Sequence, residues 1–444
     1  MWLGSLPTKL LWSAKLTEPK MRLWIGIDDT DSPNGMCTTY LATLAIEKLE
    51  KEGFKLIGFP RLIRLNPTIP FKTRGNGAVS FLIELDESRR DEVVDILREI
   101  VEEYAELKHE KTNPGVVFVE DRDDVLNNLS KFAMKAVKDI VLLDEALFII
   151  GKFMLPHLKF KKGLGLIGAL ASVGLELMDY TIEVLAYRRP ERFGTEREID
   201  EESFFDADWE TYPGTWDTVD WCNETVVAVP NSPDPVLFGI RGDDFHAVMR
   251  AFEMVRTEPV DMYMVFITNQ GTDMHLIPEN EIKELENYHS YILRGRVVEE
   301  PYDITGGHVF FTIETIFGEV KCAAFEPTKQ FRHIIRKLRK GDLVEVYGSM
   351  KRDTINLEKI NVIELAEIWV EENPVCPKCG RRMDSAGKGK GFRCKHCKTK
   401  AFEKVRRKVK RDLDTGFYEV PPCARRHLSK PLIRMEGVKR HIFR

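Results

Sequence analysis

The sequence predicts a multidomain α+β protein: α/β units first, with a ferredoxin-like pattern among them, then an OB-fold β-barrel and a zinc ribbon. Three observations carry this. At 444 residues the chain is too long for one core, and three or four domains are expected. Apolar runs alternate between strand and helix periodicity up to about residue 285, then become strand-rich from Tyr291. Four of the eight Cys stand in two Cys-x-x-Cys knuckles near the end.

Composition narrows the class. Charged residues make up 31% and hydrophobic residues 43%, the balance of a soluble globular protein. No apolar run approaches a membrane span, and residues 1–20 lack the apolar core and cleavage site of a signal peptide. Met21 directly precedes the first strand, so 1–20 reads as an N-terminal extension. The net charge of −5 hides a split: residues 376–444 hold 22 Lys+Arg against 6 Asp+Glu, a local +16, which leaves −21 for the rest. An acidic body with a basic end suggests a polyanion held at that end. Paired and scattered Cys fit a metal site in a reducing cytoplasm better than a disulfide framework.

Taken in order, residues 21–120 read as strand 22–28, helix 38–51, strand 55–64, strand 77–85, helix 88–105 and strand 116–119. This βαββαβ order is the ferredoxin-like pattern. The first strand ends in Asp28-Asp29-Thr30-Asp31, and a Pro33-Asn34-Gly35 turn leads to a helix opening at Thr38. Three carboxylates beside a helix start are suited to holding Mg²⁺ against nucleotide phosphates. A solvated acidic turn with Thr38 as N-cap is the plainer reading. An EF-hand is excluded, because Pro33 and Tyr40 occupy its fifth and twelfth positions. No Walker A pattern occurs. The loop 64–77 carries Arg64, Lys72, Arg74 and Asn76 between two prolines and two glycines, which points to phosphate or nucleic-acid contact.

Residues 122–150 read as helical. Lys161-Lys162 then precede Gly163, Gly165 and Gly168, a lone Gly-x-Gly-x-x-Gly with no clear strand before it. Close helix packing competes here with phosphate contact by the two lysines. A strand follows over 180–187, and the acidic, aromatic stretch 196–222 reads as a long loop. Strand 224–229, helix 243–256 and strand 260–267 form a second α/β unit. Its loops carry Asp234, Asp243, Asp244 and, past the last strand, Asp273, which together suggest a pocket for a cation.

From Tyr291, three strands (291–299, 308–314, 318–325), a helix (328–339) and two strands (342–348, 355–364) give the OB-fold order, a barrel that commonly binds oligonucleotides. Cys376, Cys379, Cys394 and Cys397 have the spacing of a closed, tetrahedral structural zinc site. The basic run at 404–411, with Lys404, Arg406, Arg407 and Lys408, then leads to Arg425, Arg426 and Lys430 among Pro, Tyr and Leu, which suggests an ordered segment. The domain plan is therefore 1–20 extension; 21–120 first, catalytic domain, with parts of 121–195 open to inclusion; 121–285 ferredoxin-like α/β domain with substrate loops; 286–368 OB fold; 369–403 zinc ribbon; 404–444 basic segment.

Ile25–Asp31, Arg74-Gly-Asn-Gly77, Asn113-Pro-Gly115, Gly239-Ile-Arg-Gly242 and Arg426-His-Leu-Ser-Lys-Pro431, together with the domain order, resemble the archaeal tRNA agmatidine synthetases. The resemblance runs from Met21 to the last residue. It implies a kinase-like first domain that uses ATP and Mg²⁺ to phosphorylate the C2 oxygen of the wobble cytidine in the CAU-anticodon isoleucine tRNA. Agmatine then displaces the phosphate, and AUA is read as isoleucine. On this reading Asp28, Asp29, Asp31 and Thr38 are catalytic, and the first three hold Mg²⁺. Arg64, Lys72, Arg74, Asn76, Lys161 and Lys162 contact ATP or phosphate, and Asp234, Asp243, Asp244 and Asp273 contact agmatine. Zn²⁺ fills the ribbon, and Lys404, Arg406, Arg407, Lys408, Arg425, Arg426 and Lys430 contact tRNA. The residues alone leave two alternatives: a non-catalytic RNA-binding adaptor, or a metal-dependent phosphoesterase.

Overall fold

The computed structural model describes residues 20–70, 72 and 75–444. The expected extension therefore lies outside the described residues apart from Lys20, as does Arg74. The chain forms two compact units. The first holds the residues up to Leu65, Phe71–Asp200 and Val229–Asn269; the second holds Asn66–Pro70, Glu201–Ala228 and Gln270–Arg444.

The first unit opens with β1 (Lys20–Asp28), α1 (Thr38–Lys51), β2 (Lys55–Arg64), β3 (Gly77–Asp86), α2 (Arg90–Tyr104) and β4 (Gly115–Glu120). These strands pair in the order β4-β1-β3-β2, antiparallel throughout, so the βαββαβ expectation is met. Then come α3 (Asp123–Lys138), α4 (Leu143–Phe153), β5 (His157–Lys159), α5 (Gly165–Gly174) and β6 (Thr181–Arg188). β5 extends the sheet beside β4, while strand Val260–Thr268 joins β2 to β6, and Val236–Gly242 lies beyond β6.

Both faces of β1 are covered, which is why Leu23 to Ile27 form one unbroken buried run. Alternation assigns the residues to faces. Leu23, Ile25 and Ile27 share a core with Leu41, Ala45 and Leu49 of α1 and Val93, Leu97 and Ile100 of α2. Gly26 faces α5, where a Cβ would stand 2.1 Å from the Ala169 carbonyl oxygen.

Two expectations fail here. The strand placed at 224–229 is only Thr225–Val226, and the longer strand is Val236–Gly242. The sequence places residues 230–242 in a connection between strand and helix. Gly239 instead sits within the strand because a Cβ there would meet Leu185 at 2.7 Å and Glu183 at 3.1 Å. The stretch 196–222 is likewise not a continuous loop, since Glu201–Thr211 is helical. Its buried stripe, Phe204, Ala207, Asp208 and Thr211, has helical spacing but includes an Asp and a Thr, so apolar periodicity alone does not reveal it.

In the second unit, strand Ser290–Ile304 pairs with His308–Thr315, which pairs with Gly318–Ala324. That strand runs parallel to Thr354–Glu364, which pairs with Leu343–Lys351, and the latter closes back on Ser290–Ile304. This is the expected OB-fold barrel. The expected helix 328–339 is a one-turn 3₁₀ segment and a short helix, Phe331–Ile335. Strand Gly416–Glu419 adds to the barrel beside Thr354–Glu364, and Arg440–His441 adds to it in turn, so the basic end is ordered. No described helix is long and apolar enough to cross a membrane.

One buried ion pair anchors the end of β6. Arg188 donates to both Glu258 oxygens at 2.8 Å and also reaches the Thr195 and Glu196 carbonyls at 2.7 and 2.9 Å. Both side chains are almost fully buried. Arg188→Met should destabilise the chain by about 3–5 kcal/mol in denaturant unfolding, because it strands a buried carboxylate. Adding Glu258→Gln should recover part of that loss.

Candidate active site

β1 delivers Asp28 to the face that carries Gly26, against α5. A Cβ at Gly168 would lie 1.9 Å from Asp28 Oδ2, and one at Gly165 would lie 2.4 Å from the Asp28 carbonyl oxygen. Gly115, at the start of β4, is equally close to α5, with a Cβ there 2.1 Å from Leu166 N. Gly165 and Gly168 of the 163–168 motif thus serve close packing of a helix on two strand ends, while Gly163 takes a left-handed turn before the helix (φ 69°). Gly165 N also donates to the Asn113 carbonyl at 3.0 Å.

The chain then turns sharply. Asp29 takes a left-handed backbone (φ 59°), a conformation that Asp tolerates better than bulkier residues. Its Oδ2 accepts the Asn113 N–H at 3.1 Å, and the Asp31 carbonyl accepts from Thr112 Oγ1 at 2.7 Å. Ser32 and Gly35 close the turn through paired backbone bonds of 2.9 and 3.4 Å. α1 starts at Thr38, whose buried Oγ1 accepts from Thr30 Oγ1 at 3.1 Å. Cys37 occupies the N-cap position without a side-chain cap bond. Thr38 is therefore a first-turn residue and not the cap.

The electrostatics are strained in one sense. Burial, then the Asp29 and Asp31 charges, hold the Asp28 carboxyl well above the usual range. Burial and the Asp31 charge push Asp29 up to about 7, against the opposing pull of Asn113 and Lys161. Desolvated carboxylates that repel one another are stabilised by a cation. The donor set, hard oxygens beside a helix start, suits Mg²⁺. Asn113 adds a buried Oδ1 without a hydrogen-bond partner. Sequence reasoning missed Asn113, although it stands in the Asn-Pro-Gly motif.

The other expected phosphate ligands are dispersed. Lys161 Nζ donates to the carbonyls of His109 and Glu110, and Lys162 is exposed. Arg64 is half-buried at the end of β2, where desolvation lowers its pKa against the opposing charge of Glu183. Glu183 pairs with Arg241 at 2.8 Å. Asn76 lies at the mouth of the loop, its carbonyl accepting from Leu65 N at 2.9 Å.

Of the four acids expected to hold agmatine, Asp234 pairs with Arg197 at 3.2 Å, and Asp244 caps helix Phe245–Met254 through Ala247 N at 2.7 Å. Asp243 is exposed beside it. Asp273 belongs to the second unit and pairs with Lys359 at 2.6 Å. The loop bearing Asp234 reaches the acidic turn, with Pro233 O standing 3.5 Å from a Cβ built on Gly35.

The sequence matches family models along most of its length: the TiaS TCKD domain over 24–162, the TiaS FLD domain over 163–275, an OB-fold nucleic acid binding domain over 291–364 and the TiaS C-terminal zinc ribbon over 373–413. It is 68% identical over 424 residues to the isoleucine-tRNA 2-agmatinylcytidine synthetase TiaS of Archaeoglobus fulgidus, covering 96% of this chain and 100% of that protein. The chain belongs to the TiaS family. The fold is also that of solved TiaS structures. The complex of TiaS with its isoleucine tRNA and ATP aligns with TM-score 0.89 at 67% identity. The complex with the same tRNA, AMPCPP and agmatine aligns with TM-score 0.87 at 64% identity. Each covers 96% of this chain and 100% of that one.

The TiaS zinc ribbon is intact in this chain. The Cys376, Cys379, Cys394 and Cys397 sulfurs all lie within 4.8 Å of one another, the one such group of three or more candidate ligands among the described residues. The ribbon rides on a two-stranded stalk, Ile368–Glu372 against Val405–Val409. Lys404 and Arg406 face Glu371, Arg407 pairs with Glu372 and Lys408 with Glu367, all partly exposed. Of the more distal basic residues, Arg425 turns inward. Arg425 is buried against Glu419 (2.8 Å) and Asp217 (3.3 Å), and Arg426 donates to Ser349 Oγ at 2.6 Å. Lys430 N donates to Asp273 at 2.7 Å, and its carbonyl accepts from Lys359 at 2.7 Å.

Gly168→Ala should drive a methyl group into the Asp28 carboxylate and lower ATP-dependent tRNA modification by about 10²-fold or more, as displaced catalytic groups do. Gly151→Ala, whose added Cβ meets nothing within 4 Å, is the control and should be neutral or stabilising by up to about 1 kcal/mol. Cys394→Ser should lose the metal, read as zinc per chain, while leaving the first unit's unfolding transition unchanged.

Proposed function

We propose that the end of β1 is the phosphoryl-transfer centre of an ATP-dependent ligation of agmatine to the CAU-anticodon isoleucine tRNA. The observation that carries this reading is the half-buried, mutually repelling Asp28–Asp29 pair beside the first turn of α1. The cytidine C2 oxygen is a poor leaving group, and a phosphoryl group makes it a good one. Agmatine's primary amine then attacks C2, and phosphate departs with the C–O bond.

Asp28 and Asp29, with Asp31 adjacent, are the residues that would hold Mg²⁺. The ion would offset charge on the triphosphate and on the group in transfer. Asn113 positions Asp29 through its N–H. Thr38 presents a hydroxyl at the start of α1, where unpaired N–H groups favour phosphate. The family resemblance implies a kinase that phosphorylates itself on a threonine, and Thr38 is the matching position. Lys161 adds positive charge beside Asp29. Arg64, Lys72, Arg74 and Asn76, all within the sequence 64–77, are the residues assigned to ATP phosphates. The Asp234 loop beside the acidic turn is the best placed of the acidic loops for the agmatine dication. Lys404, Arg406, Arg407 and Lys408 on the stalk contact tRNA phosphates. Arg425, Arg426 and Lys430 hold the end of the chain on the barrel. The cytoplasm is the compartment this reaction implies.

Mass spectrometry of the CAU-anticodon tRNA after incubation with ATP, with and without agmatine, tests the reading. The agmatine adduct should form only when both are present. Asp29→Asn should lower the yield by about 10²-fold or more while zinc content stays intact. Thr38→Ala should lose activity in a folded protein, since removing one partner of the Thr30–Thr38 hydroxyl bond costs about 1–3 kcal/mol of stability, and Thr38→Ser should retain part of it. Full modification by Asp29→Asn would overturn the assignment.

A further inference from the structure

A cage for one guanidinium stands in the second unit, and nothing in the reaction uses it. The Arg444 guanidinium lies 4.2 Å from the Tyr212 ring centroid and 5.6 Å from the rings of both Trp209 and Trp221. Its Nη2 donates to Asp208 Oδ2 at 3.0 Å and to the Asp208 carbonyl at 3.2 Å, and its Nε reaches Oδ2 at 3.3 Å. Trp221 Nε1 donates to the same Oδ2 at 2.7 Å and so fixes the carboxylate. A fixed, buried acid with three aromatic faces around it matches a planar, weakly hydrated cation. The walls are open to solvent: Trp209 is 67% exposed, Trp221 37%, and the Arg444 side chain 31%. An occupant can therefore exchange without unfolding the helix that carries Asp208.

We propose that this cage is a guanidinium-binding site in its own right, that Arg444 is its displaceable occupant, and that free alkylguanidinium compounds of the agmatine type compete for it. Agmatine presents the same guanidinium on an alkyl chain, and the exposed side of the cage leaves its amine in water. The Arg444 carbonyl accepts from Cys222 N at 2.9 Å, which tethers the guanidinium at an effective concentration of about millimolar or above. Free agmatine therefore competes at millimolar levels in the native chain and far better once Arg444 is gone. Displacement frees the segment that leads back to strand Arg440–His441, so ligand level reads out as the order of that strand. The choice of agmatine as probe rests on the proposed reaction; the site itself does not.

The test titrates the full chain, without tRNA or ATP, using agmatine and putrescine, the latter bearing an amine where agmatine has the guanidinium. Wild type, Arg444→Met and Arg444→Met/Asp208→Asn are compared by calorimetry and tryptophan fluorescence. The wild type should show a weak millimolar agmatine site. Arg444→Met should bind at that site at least tenfold more tightly, with putrescine silent and the double variant without it. Equal isotherms for Arg444→Met and the double variant would overturn the proposal, as would equal binding of putrescine; Arg444 would then be an anchor and nothing more. If Arg444→Met fails to fold, Arg444→Lys, which keeps the ion pair but not the planar fork, is titrated against the same tenfold criterion. A chain with an intact cage site but no tRNA modification would refute the proposed reaction and leave this inference standing.

Discussion

The approach of α5 to the ends of β1 and β4 is the contact on which the site depends. Gly26, Gly115, Gly165 and Gly168 leave out the Cβ at the closest points of that interface, where each would otherwise place one within about 2.5 Å of backbone or of the Asp28 carboxylate. No ordinary side chain fits at such distances. The result is a carboxylate pressed against a helix backbone and withdrawn from water. Asp29 is turned out beside it and fixed by Asn113. Burial raises both carboxyls, so the site stores unfavourable electrostatics that a bound cation relieves. Strain of this kind is expected at functional sites and is sustained by the packed sheet around it.

The second unit handles charge differently. Most of the basic residues near the end of the chain are used internally: Arg425 with Asp217 and Glu419, Arg411 in a two-pronged pair with Asp342 at 2.7 Å, Arg440 on the carbonyls of Leu432, Ile433 and Met435. These contacts hold the last strands on the barrel. What stays outward is the stalk and ribbon, where lysines and arginines face glutamates across a two-stranded surface. Exposed pairs of this type contribute little stability, so their cations stay available to a stronger polyanion.

Much of this was legible in the sequence. The βαββαβ order, the OB-fold strand order and the two Cys knuckles follow from periodicity and spacing, and the Asp-Asp-Thr-Asp turn announced itself by three acids in four positions. The parts that did not show were tertiary. Gly239 reads as part of a connection until Leu185 is seen to need its space. Helix Glu201–Thr211 hides because its buried face includes Asp208, which is paired to Arg444 more than two hundred residues away. The basic character of Arg425 suggested RNA, and only the positions of Asp217 and Glu419 show it turned inward. Asn113 carried no periodic or charge signal, and its importance emerges from an unpartnered buried oxygen beside Asp29.

The central claim is that Asp28, held by the glycine-faced contact, belongs to a phosphoryl-transfer centre and is not merely a buried acid. A rapid-quench measurement with the CAU-anticodon tRNA and ATP, agmatine omitted, isolates that step from amine attack. The account predicts a burst of about one phosphoryl group transferred to tRNA per chain in the wild type. In an Asp28→Asn protein that still folds and still binds ATP, the burst should be lost. A burst of unchanged amplitude and rate in Asp28→Asn would contradict it.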